Sequence, residues 1–344
     1  MTKLLKKNEF FVAITLLALC LTIGLINPVF FSAANIVSLL KNSIIMGIMS
    51  FALMMGIIAG GIDVSFPSIA VCSMYLTSKL MTEIQFTGSV IVPILMAMAI
   101  GTILGFINGL IIVRFDLPAF IVTLGTSSLF YGLLVTLVGS KPVNRLVEPM
   151  ENFGKAVMLE VTSGTTTATL TYTFLFMVAI ALIVYFILNY TMLGRSIYSI
   201  GGDKVSAERA GFNVKGTLIF VYTFIGTAAG LAGISHTMQA RMTQPTDLIG
   251  IEMLCIAAVV LGGANINGGK GTVLGTALGI ALLTVARNSL ILVGITSTWQ
   301  SLVIGIIIVA GTALSAYKEL KNSKKNPKIL EDEDKPAEVG HAKE

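Results

Sequence analysis

Charge is scarce in this sequence. Asp, Glu, Lys and Arg make up 12% of its 344 residues, while hydrophobic residues make up 55%. An ordinary soluble domain carries about twice that share of charge. With a mean hydropathy of +0.88, a water-facing chain of this length could not hide its apolar surface in one core. Lipid must solvate its exterior. Cysteine is nearly absent: Cys20, Cys72 and Cys255 all lie in apolar runs, which excludes a disulfide framework. There are two histidines, His236 and His341, far apart in the chain. No His/Cys/Asp/Glu cluster has ligand spacing, so no metal site is expected. The absence of a Ser/His pair, an aspartate pair or an H-E-x-x-H helix argues against a membrane enzyme. The single Trp299 stands at the outer start of the last apolar run, where an interfacial anchor belongs.

What the sequence has is long apolar runs. Phe10–Ile26, Ser43–Ala59, Val64–Met81, Ser89–Val113 and Pro118–Val138 are followed, after a gap, by Leu170–Leu188, Thr217–Met238, Ile249–Leu261, Thr272–Leu290 and Thr298–Tyr317. At about 20 residues per span, the pattern predicts an all-α, polytopic transmembrane helical bundle of about ten spans. The third and eighth runs are short or polar at one end and read as broken or half-length helices. The first run follows Lys3, Lys6 and Lys7 and is longer than a signal core, so an uncleaved first span is expected. Lys and Arg are about twice as frequent on the side shared by the two termini, which places both termini in the cytoplasm. The net charge of +5 therefore reflects orientation in a membrane and does not indicate nucleic acid. Residues 1–317 form the expected transmembrane domain. The charged stretch 318–344 cannot bury a core and reads as a disordered cytoplasmic tail.

Glycine recurs at four-residue spacing at 101, 105 and 109, at 226 and 230, and at 271, 275 and 279. Such stripes are helix-contact faces in membranes. Three motifs interrupt the runs. In the first, Gly60-Gly61-Ile62-Asp63-Val64-Ser65-Phe66-Pro67-Ser68, the glycines can open the helix, Pro67 restarts it and Ser65 can accept freed backbone donors. Asp63 has two open readings: part of a broken helix beside a transport path, or the cap of the next helix at the inner surface. The second motif, Gly262 to Thr272, lacks the glycine and hydroxyl residue that a phosphate-binding P-loop needs. The chain itself is not expected to bind or split ATP. The motif reads as a turn in which Asn265 and Asn267 satisfy loose backbone groups. The third is the inward stretch Leu193 to Asn213. Here Val205–Ala210 forms a short surface helix with Asp203 as N-cap and Gly211 as its stop, suited to docking a cytoplasmic partner.

Taken in order, these motifs resemble the ribose-type permease family of bacterial ATP-binding-cassette importers. Its Gly-Ile-Asp-Leu-Ser-Val-Gly-Ser segment is matched by Gly61 to Ser68, with Phe66-Pro67 in place of Val-Gly. Its Gly-Arg-x-x-Tyr-Ala-Ile-Gly-Gly-Asn loop and the helix after it are matched by Gly194 to Asn213, with Asp203 for Asn. Its late double-glycine segment corresponds to Gly262 to Gly271. The resemblance implies a multi-pass protein of the bacterial inner membrane that works as a dimer with a second copy or a paralogue. A cytoplasmic ATPase carrying ATP and magnesium would grip Arg195, Gly201, Gly202, Asp203, Lys204, Ala207, Glu208, Arg209 and Gly211. An extracytoplasmic binding protein would dock on the outward loop, Gly139 to Ala168, and deliver a monosaccharide or related small solute. Gly60, Gly61, Asp63, Ser65, Asn265 and Asn267 would form broken-helix turns or line the path. The competing class is an ion-coupled secondary transporter, which usually needs several charges at mid-membrane. Only Asp63 is a candidate in a span interior, because Glu252 and Arg287 lie near outer ends.

Overall fold

The computed structural model describes residues 8–164 and 166–294, together with positions 296, 299, 302, 303, 305, 306 and 309. The expected run 298–317 lies outside the described residues apart from those isolated positions, and so do the tail 318–344 and both termini. The chain begins with α1 (Asn8–Ile26), α2 (Ala33–Ile58), α3 (Phe66–Glu83), α4 (Ile91–Phe115) and α5 (Ala119–Leu133), the last extended by a π turn at Leu134–Val138. An outer segment follows, built from α6 (Glu148–Lys155) and an antiparallel hairpin of β1 (Val157–Ser163) and β2 (Thr166–Thr171). Next come α7 (Thr173–Tyr190), the short α8 (Met192–Gly202) and α9 (Lys204–Arg209), then α10 (Val214–Ala240), α11 (Glu252–Leu261) and α12 (Val273–Ser289).

Among the described residues, seven helices are long and apolar enough to cross a membrane: Glu9–Ile26, Ala33–Ile58, Ile91–Phe115, Ala119–Val138, Thr173–Tyr190, Val214–Ala240 and Val273–Val293. α3 and the ten-residue α11 are the weak runs of the sequence, one rich in polar residues and one short. The outward hydrophilic segment was expected as a loop and the inward one as a loop holding a short helix at Val205–Ala210, which appears as α9; here the structure adds to the sequence reading. The outward one contains α6 and the hairpin, and the inward one is largely α8 and α9.

α2 and α10 form the centre of the bundle, with 67% of each spanning window buried against 11% for α1. Most of the spans are apolar around their whole circumference, so hydrophobic patterning cannot decide which face turns inward. Small residues decide it instead. At the crossing of α4 and α10, a Cβ on Gly101 would overlap the Gly226 carbonyl, one on Gly105 the Tyr222 carbonyl, and one on Gly230 the Ala97 carbonyl. α11 and α12 pack the same way through Gly275 and Gly279. In lipid, close backbone approach supplies the dispersion contacts that hold helices together, since burial from water cannot do so. The outer faces keep their large side chains bare, as at Leu17, Leu25, Ile121 and Leu182, where lipid chains solvate them.

The hairpin end is tied to the spans through backbone groups. Val143 and Thr243 exchange N–H to carbonyl bonds of 3.0 and 3.1 Å, and the Tyr75 hydroxyl donates to the Lys141 carbonyl at 2.8 Å. The opposite end carries α8, α9 and the start of α10, together with Arg114, Lys204 and Lys215. It is the inner end on the charge pattern of the sequence.

Candidate functional site

Three helices stop at the inner end by the same device. In a Schellman ending, the residue past the cap adopts a left-handed conformation and two N–H groups fold back onto the last carbonyls. α2 ends with Gly60 at φ +84°, its N–H on Ile57 O at 3.0 Å and the Gly61 N–H on Gly56 O at 2.9 Å. α11 ends with Gly263 at φ +96°, bonded to Val260 O at 2.9 Å, and Ala264 bonded to Val259 O at 3.2 Å. α9 ends with Gly211 at φ +86°, bonded to Glu208 O at 3.0 Å, and Phe212 bonded to Ala207 O at 3.1 Å. The likeness between the first and second motifs is therefore a shared helix ending.

These endings bring the three motifs into one junction. The Gly269 N–H donates to the Ile58 carbonyl at 2.8 Å, which joins the turn after α11 to the last turn of α2. Gly201 of α8 sits against both: a Cβ there would overlap the Ile58 carbonyl and press on the Gly269 nitrogen. A Cβ on Gly268 would lie 2.6 Å from the Gly201 carbonyl and 3.0 Å from the Gly60 Cα. The Tyr198 hydroxyl closes the ring by donating to the Gly271 carbonyl at 2.7 Å. Backbone meets backbone from three parts of the chain, with no side chain between to absorb a displacement.

α8 leads directly into α9. Asp203 is the N-cap of α9, accepting the Ser206 N–H on its carboxylate, and that backbone bond holds its carboxyl below the usual range. Ala207 is buried and packs α9 onto Ile200 and Val214. Arg195, Glu208, Arg209 and Gly211 are exposed. Lys204 is also exposed and pairs with Asp116, the left-handed cap residue at the end of α4. Asp116 is held below its ordinary carboxylate range, first by the Lys204 hydrogen bond and then by its charge. Beside α9 a cavity of about 750 Å³ opens, lined by Gly60, Gly61, Gly201, Gly202, Asp203, Lys204, Glu208 and Asn267 among others.

Asp63 and Ser65 do not line that cavity. They are fully buried behind it, which corrects the reading of Asp63 as a cap at the inner surface. One Asp63 oxygen accepts both the Ser65 N–H at 2.7 Å and the Ser65 hydroxyl at 2.6 Å, so Asp63 holds Ser65, which is itself the N-cap residue of α3. Ser65 was expected to accept backbone donors; instead its hydroxyl accepts from Asn108 Nδ2 at 2.7 Å. The freed backbone of the break is met by α5, where Thr123 Oγ1 accepts the Val64 N–H at 3.2 Å. Asn265 behaves as expected, accepting the Asn267 N–H at 3.0 Å, whereas the exposed Asn267 faces the cavity.

Asn108, Asp116, Thr123, Tyr198 and Tyr222 belong to this site and were missed in the sequence. Asn108 did leave a signal, a lone amide in an apolar run between Gly105 and Gly109. Tyr222 left none: its hydroxyl lies where a Cβ on Gly61 would have to go, a relation that exists only in three dimensions.

The family described as branched-chain amino acid transport system / permease component matches residues 35–311. The chain belongs to that family. It is 30% identical over 315 residues to the ribose import permease of Haemophilus influenzae, covering 91% of this chain and 94% of the relative. It is 31% identical over 306 residues to the ribose import permease of Bacillus subtilis, covering 88% and 91%. It is also similar to the D-allose transport system permease of Escherichia coli, at 29% over 314 residues covering 90% and 91%. No solved structure matches it. The chain is a multi-pass inner-membrane permease component, a transport subunit and not an enzyme.

Proposed function

We propose that this chain is the membrane-spanning subunit of an ATP-driven importer of a monosaccharide or related small solute. α9 and the end of α8 dock a cytoplasmic ATPase, which binds the ATP and magnesium. A second permease copy or a paralogue completes the pore. The observation that carries the reading is the junction of Ile58–Gly61, Gly201 and Gly268–Gly271 directly behind α9. A push on α9 passes into α8, and the close backbone contact of Gly201 with Ile58 and Gly269 passes it to the ends of α2 and α11. Two packed elements that cannot compress transmit a displacement as a rigid-body shift. The exposed Asp203, Lys204, Glu208 and Arg209 supply the charged docking surface. The outer hairpin, with Met158 and Leu159 exposed, receives the binding protein that delivers the solute.

The test is uptake of labelled D-ribose by proteoliposomes holding the permease with its ATPase and binding protein. Reversing the charges with Glu208→Arg and Arg209→Glu should abolish uptake while membrane insertion stays normal. Uptake at wild-type rates in that variant would overturn the docking role. Uptake that survives ATP depletion and follows a proton or sodium gradient would replace the reading with an ion-coupled transporter.

A further inference from the structure

A second cavity, of about 190 Å³, lies between α2, α10, α11 and α12. Its polar lining consists of Asn42, His236, Asp247, Thr284, Arg287 and Asn288. His236 is about 33 Å along α10 from Val214, at 1.5 Å per residue, so the cavity sits at the outer end. The sequence reading left these residues apart, with His236 as an isolated packed residue. The structure interlocks them. His236 Nε2 is 3.4 Å from Asp247 Oδ2, which also accepts the Gln244 N–H at 3.2 Å. Asn42 Nδ2 donates to Asn288 Oδ1 at 3.1 Å, and Asn288 Nδ2 donates to the Thr284 carbonyl at 2.9 Å.

Two members of this wall have bonding capacity to spare. The Thr284 hydroxyl is buried and has no hydrogen-bond partner among the described residues. The Arg287 guanidinium is exposed at the rim of the cavity and makes no hydrogen bond or ion pair among the described residues, so it is open to a guest in place of solvent. A buried hydroxyl left unpaired is unfavourable unless a guest completes its bonding. The set mixes one carboxylate, one guanidinium, two amides, an imidazole and a hydroxyl. An anion would meet Asp247 and a cation would meet Arg287. A neutral molecule carrying many hydroxyls can donate to the first and accept from the second. The volume equals about six water molecules' share of liquid, which suits a single five- or six-carbon ring and excludes an oligosaccharide. Aliphatic side chains of α2 and α11 close the remaining walls and can cover the apolar face of such a ring.

We propose that this outer cavity is a monosaccharide-binding site within the permease, holding the delivered solute before it crosses. The proposal rests on the sugar-importer reading, and its test separates the two. The purified permease in lipid nanodiscs is unfolded by heat with D-ribose, D-allose or L-leucine present. Thr284→Val keeps the shape and removes only the unpaired hydroxyl, so its own stability should match or exceed that of the wild type. The sugars should raise the unfolding temperature of the wild type. Thr284→Val should weaken their apparent affinity about three- to tenfold, the loss for one hydrogen bond, and Asn288→Ala should weaken it further. Leucine should have no effect. A sugar shift unchanged in both variants, no sugar shift in the wild type, or stabilisation by leucine instead would each overturn the proposal. Sugar stabilisation by the cavity without ATP-driven uptake by the assembled wild-type complex would sink the importer reading and leave the site standing.

Discussion

At the inner end of the bundle, Gly201, Ile58 and Gly268–Gly269 meet through bare backbone, and adding a methyl group there would force a carbonyl to move. At the outer end, α2, α10, α11 and α12 spread around a space lined by mixed polar side chains, one of them a buried hydroxyl with no partner among the described residues. The same spans thus carry a junction without slack beside a wide cavity at the inner end, and a smaller pocket lined by mixed polar side chains at the outer end. Tight packing transmits a shift because packed elements move as rigid bodies. Space with unspent hydrogen-bonding capacity accepts a guest. On the proposed reading, the difference teaches that motor coupling and cargo holding place opposite demands on the same helices, which this chain would meet at opposite ends.

The largest test of that contrast uses two adjacent glycines. Gly201→Val should abolish uptake, and should cost about 1–3 kcal/mol or more of stability as an overpacked site, read by thermal unfolding in detergent. Gly202→Ala should leave stability unchanged and cost far less uptake, because nothing lies within 4 Å of a Cβ there. Equal effects at the two positions would break the comparison. Next in size, Gly226→Leu would push α4 and α10 apart and should lower stability by about 1–3 kcal/mol. It strikes the middle of the bundle, so insertion and uptake should fall together, unlike the charge reversal on α9, which should spare insertion. At the outer end, replacing residues 157–171 with a short polar linker should reduce capture of the binding protein in a pull-down while leaving ATPase docking intact. Undiminished capture would remove the hairpin from that role.

The smallest effect concerns the Lys204–Asp116 link between α9 and α4. Asp116 is held below its ordinary value, so its stabilising contribution is fully present above the unfolded carboxylate pKa of about 3.9. That contribution is lost as pH falls through the lowered folded value. Both groups are exposed, so screening keeps the gain slight. Asp116→Asn should flatten the pH dependence of α9 protection in the acid range, measured by limited proteolysis, and should change uptake at neutral pH only mildly. A large loss of uptake in this variant would mean that the route from α9 into the bundle runs through α4 and not through the glycine junction.

Much of the site was legible before any coordinates. Asp203 and Gly211 announce the start and stop of α9 because a carboxylate that accepts an orphan N–H and a residue free to adopt positive φ are local requirements. The glycine stripes announce close helix contacts for a similar reason, although Gly271 proved to precede α12 and to press on Ile58. What stayed hidden depends on contact between distant segments. Asp63 looks the same in sequence whether it caps a helix at the surface or bonds Ser65 in the interior. His236 looks isolated until the segment after α10 folds Asp247 back onto it.

The sequence by itself determined that the chain lives in lipid and where its helices break. Composition, backbone conformation and charge asymmetry act locally or in bulk, so they can be read along a line. The tertiary structure alone decided that the three glycine motifs form one junction and that six scattered polar residues share one outer cavity. Helices that are apolar all round carry no marker of which neighbour they will choose. That choice is made by the fit of surfaces, which exists only once the bundle has assembled.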